Sequence, residues 1–171
     1  SGQRVLINGA SGGVGSFAVQ IAKLMGAEVW GTSSAAKVDF VRSLGADEVI
    51  DYRQTPITKL TALFDVILDA ASMSSYDQTK HLLTRSGTYV TLLPTATLLT
   101  GMLASSLSRR RCTFVMVKSR TAELDQLGAW LSSGELKASV ERTFELAQIG
   151  AALAELEAGK VRGKLAVRVN T

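Results

Sequence analysis

Hydrophobic and polar positions alternate between two rhythms along this chain. Short apolar runs bounded by turn residues read as buried strands, and segments with apolar residues three and four apart read as amphipathic helices. Val5, Leu6 and Ile7 form the first run, followed by a glycine turn and a helix opening near Gly13. The same rhythm predicts strands at residues 28–32, 48–50, 64–69, 88–93 and 113–117. Helices are expected between them: residues 37–44, with Val38, Val41 and Leu44 on one face, then 56–63 behind Pro56, and 75–83. Pro94 should stop the fifth strand, and residues 95–111 read as irregular or helical. Beyond it come a helix at 122–131, a strand at 139–144, a helix at 149–158 and a last strand at 165–169.

Six strands separated by helices predict an α/β fold with a doubly wound parallel sheet, strand order 3-2-1-4-5-6 and right-handed crossovers. Residues 1–134 would form this Rossmann domain. Residues 135–171 do not continue the repeat and are expected to pack on it as a C-terminal tail. A length of 171 residues suits a core of ordinary size, and a chain 46% hydrophobic and 20% charged suits a globular domain. No apolar run is long enough to span a bilayer, so no membrane partner is expected. The net charge of +4 does not require nucleic acid, because a phosphorylated cofactor can use the same charge. Cys112 is the single cysteine and precludes an internal disulfide; a reducing cytoplasm is the default compartment, with the mitochondrion as the alternative.

The chemistry centres on the turn Ala10-Ser11-Gly12-Gly13-Val14-Gly15, which fits A-x-G-x-x-G. Small residues are needed here so that the backbone can approach a pyrophosphate at Gly12 and the helix can pack on the strand at Gly15. The preceding strand, the following helix and the second strand at βαβ spacing turn a weak pattern into a dinucleotide fingerprint. The same turn also fits G-x-x-x-G-x-G at Gly9, Gly13 and Gly15, and Tyr76 and Lys80 supply a Y-x-x-x-K near Ser74 and Ser75. That short-chain dehydrogenase pattern is set aside. Tyr76 follows the fourth strand where that family places its tyrosine after the fifth, and Asp69-Ala70-Ala71-Ser72 replaces the expected turn.

GQRVLI at residues 2–7, GASGGVGSFAVQIAKLMGAEV at 9–29, LGADEVIDYR at 44–53, FDVILDAAS at 64–72 and RGKLAVRV at 162–169 occur in order. Together they resemble the medium-chain dehydrogenase/reductase superfamily, in its zinc-independent quinone oxidoreductase and enoyl reductase branch. The resemblance implies a GroES-like catalytic domain ahead of the nucleotide-binding domain, with C-terminal strands folding back onto it. It also implies hydride transfer to a quinone, enone or enoyl thioester, without a general acid in this chain. Alcohol dehydrogenases of the same superfamily, and a non-catalytic nucleotide-binding or interaction module, are the alternatives.

At the end of the second strand, where a carboxylate would accept from the ribose hydroxyls of NADH, the chain carries Thr32, Ser33 and Ser34. Lys37 opens the next helix and Tyr52 follows the third strand, so hydroxyls and an ammonium can meet a 2′-phosphate. NADPH is therefore preferred over NADH, and the family resemblance carries the same role onto these residues. It further places the nicotinamide against Leu92, Leu93, Phe114 and Met116, and the cofactor against Arg162. Each of the four apolar residues is equally suited to a core, and Arg162 to an ordinary exposed position. One cysteine and one histidine, His81, are too few for a zinc site. Cys112 follows Arg109-Arg110-Arg111 and is read as a buried strand residue, His81 as structural, and the arginine run as a solvated loop. The sixth strand would lie at the sheet edge, and the resemblance implies a homodimer in which two such edges pair, with Val115 between them.

Overall fold

The computed structural model describes residues 2–93, 96–106 and 108–169. Its centre is a parallel sheet of six strands, β1 (Arg4–Asn8), β2 (Glu28–Ser33), β3 (Glu48–Asp51), β4 (Phe64–Asp69), β5 (Leu83–Thr91) and β6 (Arg111–Phe114). Their spatial order is β3-β2-β1-β4-β5-β6, as the pattern predicts. Helices α1 (Gly15–Leu24), α2 (Val38–Ser43), α3 (Tyr76–Thr79) and α4 (Ala96–Ser106) cover its faces. Successive strand residues point to opposite faces, so Leu6 and Ile7 enter different cores. Leu6 packs with Phe64, Ile67, Leu82, Leu83 and Tyr89; Ile7 packs with Val19, Val29 and Val41. Burying each such side chain contributes about 1.5–3 kcal/mol, and these clusters fix both layers against the sheet.

Four boundaries differ from the pattern. Residues 56–63 form no helix, only a 3₁₀ turn at Ile57–Lys59, because Pro56 and Leu60 on either side are extended, with ψ 141° and 153°. The helix expected through residue 83 is α3 followed by a 3₁₀ turn, Lys80–Leu82, and Ser75 caps it in a box with Gln78. β5 then begins at Leu83, because Leu83 pairs with Phe64 ahead of a register shift. Thus Leu92 and Leu93 fall beyond the strand. β6 starts earlier than expected and ends at Phe114, the residue facing the last residue of β5, Thr91. Val115 makes one more bond, N–H to Thr91 O at 3.0 Å, and Met116 and Val117 run on exposed outside the ladder. The expected stop at Pro94 lies outside the described residues.

After β6, α5 (Thr121–Ser133) ends at Gly134 in the left-handed region at φ 79°. The remaining elements are β7 (Val140–Glu145), α6 (Ile149–Glu157) and β8 (Lys164–Arg168), and the two strands pair in parallel as a separate sheet. This tail docks on the main domain at its start and its end. The buried Gln20 on α1 donates its amide N–H to Lys137 O at 3.0 Å and accepts from Lys137 N–H at 2.9 Å. Gly163 N–H donates to Ser11 O at 2.9 Å. Gly163 has φ +69°, and an added Cβ would collide with Ser139, so the chain can cross the glycine turn here only as glycine. Among the described residues no helix is long and apolar enough to cross a membrane.

Candidate functional site

The carboxyl ends of β1, β2 and β3 converge on one groove of about 530 Å³. Backbone bonds bring its walls together: Ala10 N–H to Thr32 O at 3.0 Å, Tyr52 N–H to Ser33 O at 3.1 Å, and Lys37 N–H to Ser34 O at 2.9 Å. Ser11, Gly12, Ser33, Ser34, Lys37 and Tyr52 all line it. Thus six of the residues singled out in the sequence share one cleft. Gly12 carries no atom beyond Cα, and the described protein atom nearest an added Cβ, chain neighbours aside, is Gly9 O at 3.4 Å. The backbone there is open toward a ligand, as a pyrophosphate requires. Ala10 is fully buried beneath the turn, Val14 is exposed beside it, and Gly13 lies under the Lys164 side chain.

Under the groove floor lies a polar cluster that hydrophobic patterning did not reveal. Asp69, fully buried at the end of β4, accepts five hydrogen bonds: from Asn8 Nδ2, Met73 N–H, Ser74 N–H, Ser74 Oγ and Tyr89 OH. Such a carboxylate is tolerated inside only because its lone pairs are satisfied. Asn8 in turn accepts from Thr32 Oγ1 at 2.7 Å, and Thr32 Oγ1 accepts from Gly9 N–H at 3.0 Å. The cluster thereby fixes the start of the glycine turn against the strand ends on both sides. Burial pushes the Tyr89 phenol well above its ordinary range, so it remains a donor to Asp69. A signal was available: Asn8 and Asp69 are polar residues closing two adjacent apolar strands, where the direction of winding reverses.

The acid-free corner is equally defined. Among the described residues no carboxylate lines the groove, and its cations are Lys37 and Arg53. The sequence reading named Tyr52 but missed Arg53, whose guanidinium lies 5.9 Å from the Tyr52 ring centre. Gly159 of the tail forms the far rim. Ser33 Oγ turns to the Ser34 carbonyl at 3.1 Å and is buried; Ser34 is half-buried.

The other expected positions lie elsewhere. Leu92 is half-buried, Leu93 and Met116 are exposed, and Phe114 packs on the core that holds Leu6. Arg162 binds Glu141 twice, N–H to Oε2 at 2.6 Å and Nε to Oε1 at 2.8 Å. Those bonds hold the Glu141 carboxyl below its usual range. Tyr76 is in the core, edge-on to Tyr89 at 6.4 Å, and Lys80 pairs with Asp77, so the short-chain pattern has no accessible tyrosine. Cys112 is buried, and desolvation pushes its thiol up to about 11. His81 is exposed, with Nε2 3.2 Å from Thr58 O.

A doubly wound sheet with a glycine turn and a cleft across its carboxyl ends defines a Rossmann-type domain. Comparison with known proteins gives the family: a sequence model described as zinc-binding dehydrogenase matches residues 44–167, and the chain belongs to that family, within the medium-chain dehydrogenase/reductase superfamily. It is 33% identical over 187 residues to the trans-enoyl reductase pgmF of Aspergillus terreus, covering 99% of this chain and 52% of that protein. It is 35% identical over 194 residues to the mitochondrial NAD(P)H oxidoreductase RTN4IP1 of Mus musculus, covering 98% and 48%. The solved quinone oxidoreductase from Coxiella burnetii superposes with a TM-score of 0.87 at 30% identity, covering 99% and 54%. The chain thus spans about half the length of the relatives it matches. Among the described residues no group of three or more His, Cys, Asp or Glu is placed to hold a metal ion.

Proposed function

We propose that this chain is the NADPH-binding part of a zinc-independent medium-chain reductase that delivers hydride to a quinone, an enone or an enoyl thioester. The observation that carries the reading is the groove itself: an open glycine turn at one side and, at the other, hydroxyls and cations with no lining carboxylate among the described residues. In this reading residues 1–134 bind the cofactor and residues 135–171 close its rim. The backbone from Ala10 through Val14 faces the diphosphate. Ser33, Ser34, Lys37 and Tyr52 form the corner for the 2′-phosphate. Leu92, Leu93, Phe114 and Met116 flank the nicotinamide, and Arg162 stands at the tail side. A bound dihydronicotinamide supplies the hydride. The chain's part is to hold it in position and keep water from it, so catalytic rate depends on orientation more than on any acid in this sequence.

Because the relatives are about twice as long, we assign the substrate contacts to a further domain and expect the 171 residues alone to bind without turnover. The exposed run Val115-Met116-Val117 after β6 supports a homodimer through that edge. A reducing compartment, cytoplasm or mitochondrion, suits the single buried thiol. Calorimetric titration with NADPH and with NADH tests the assignment. Tighter NADPH binding is expected; equal binding refutes the cofactor preference, and binding of neither refutes the nucleotide site in favour of an interaction module.

A further inference from the structure

Two cations line the groove, and the fold uses them differently. The Lys37 ammonium donates to Gly159 O at 2.8 Å and to Val161 O at 2.9 Å. Those carbonyls belong to the segment between α6 and β8, and Val161 is buried. Withdrawing the ammonium toward a ligand would cost the tail both bonds, and the Val161 carbonyl would lose its donor where it is partly hidden from water. Desolvation already holds the Lys37 pKa below the ordinary lysine range, with Glu141 opposing the shift and Arg162 adding to it.

Arg53 has the opposite situation. Its backbone N–H is tied to Asp51 Oδ1 at 3.0 Å, which fixes the base of the side chain. Its guanidinium pairs with no carboxylate among the described residues and stands over the Tyr52 ring, 5.9 Å from its centre. A planar fork held near an aromatic face can make two parallel bonds to a phosphate, a geometry an ammonium cannot offer.

We infer that Arg53 is the residue by which this chain distinguishes a 2′-phosphorylated nucleotide, and that Lys37 is a positioning residue fastening the rim at 159–161. The inference rests on the NADPH reading above and divides its 2′-phosphate corner into a reader and a fastener.

The test is calorimetric titration of the chain and of Arg53→Gln, Arg53→Lys and Lys37→Met with NADPH and NADH. Arg53→Gln should lose about tenfold to hundredfold in NADPH affinity while NADH binding stays unchanged, as expected for a charge-assisted contact. Arg53→Lys should recover only part of that loss, since it restores the charge without the fork. Lys37→Met should weaken both nucleotides by a similar factor, because the rim contacts the common part of the molecule. An NADPH preference that survives Arg53→Gln, or one abolished by Lys37→Met with NADH unaffected, overturns the assignment alone. A wild-type chain that binds the two equally, or neither, overturns the NADPH reading and the assignment together.

Discussion

Gly12 and Gly15 stand three residues apart in one fingerprint, yet the structure gives them separable duties. A methyl group added at Gly15 would run into Gly9 O and come within 2.8 Å of Ala10 Cα and 2.9 Å of Gly9 C. All three are backbone atoms of the turn, so no side chain can swing aside, and α1 must move off the sheet. Overpacking of that kind costs about 1–3 kcal/mol, and the rigid neighbours place Gly15→Ala toward the upper end. For a domain of this size each kcal/mol lowers Tm by about 2–4 °C. At Gly12 an added methyl meets Gly9 O at 3.4 Å, an ordinary contact, and otherwise stands in the groove Gly12 lines. Gly12→Ala should therefore keep its Tm to within about 0.5 kcal/mol of stability. It should nevertheless bind NADPH about tenfold more weakly or worse, through the lost approach of the backbone to a charged group. Thermal unfolding by circular dichroism and titration calorimetry on the same preparations give both readouts. Equal destabilisation by the two substitutions, or a Gly15→Ala chain melting with wild type, would refute the division.

Further expectations follow from the periphery. Cys112 should react with a maleimide in native buffer only as fast as the fold opens, and at once in denaturant; rapid labelling of native protein would contradict its burial and raised pKa. Glu141 has a depressed folded pKa, caused first by the Arg162 backbone N–H and then by its guanidinium, so its stabilisation is present above the ordinary 4.5 and is lost as pH falls through the folded value. The Tm advantage of wild type over Glu141→Gln should accordingly disappear at the acid end, and an advantage constant down to pH ~2.5 would refute it. Val115→Glu should convert the proposed dimer to monomers in light scattering, and a dimer indifferent to it would exclude the β6 edge as the interface.

The parts of the fold legible in the sequence are those decided locally. β1, the glycine turn and α1 announce themselves through an apolar run, small residues and a helical stripe, and the strand order follows from the βα repeat. Where a partner far along the chain decides, the pattern misleads. Val115, Met116 and Val117 have strand character, but β5 ends at Thr91, whose carbonyl gives Val115 one last bond before the ladder stops. The first residues of β5 look like a helix end, until Phe64 pairs with Leu83. In the groove, Ser33, Ser34, Lys37 and Tyr52 could be assembled from βα spacing alone. Lys37's bonds to Gly159 and Val161 could not, since no local rule relates residues so distant, and Arg53 was overshadowed by the hydroxyl beside it.

The fastening of the rim by Lys37 also bears on the order in which the molecule assembles. Its two bonds join residues 122 and 124 positions apart, whereas the βαβ unit beneath them closes over some two dozen residues. Contacts at such sequence separation carry the larger loop-closure cost and are rewarded only once the intervening sheet exists. The groove's floor is therefore expected to form early and its far wall late, after the tail has docked through Lys137 on Gln20 and Gly163 on Ser11. A nucleotide held between floor and wall then stabilises contacts absent from the folding transition state, so it should slow unfolding while leaving the folding rate almost unchanged.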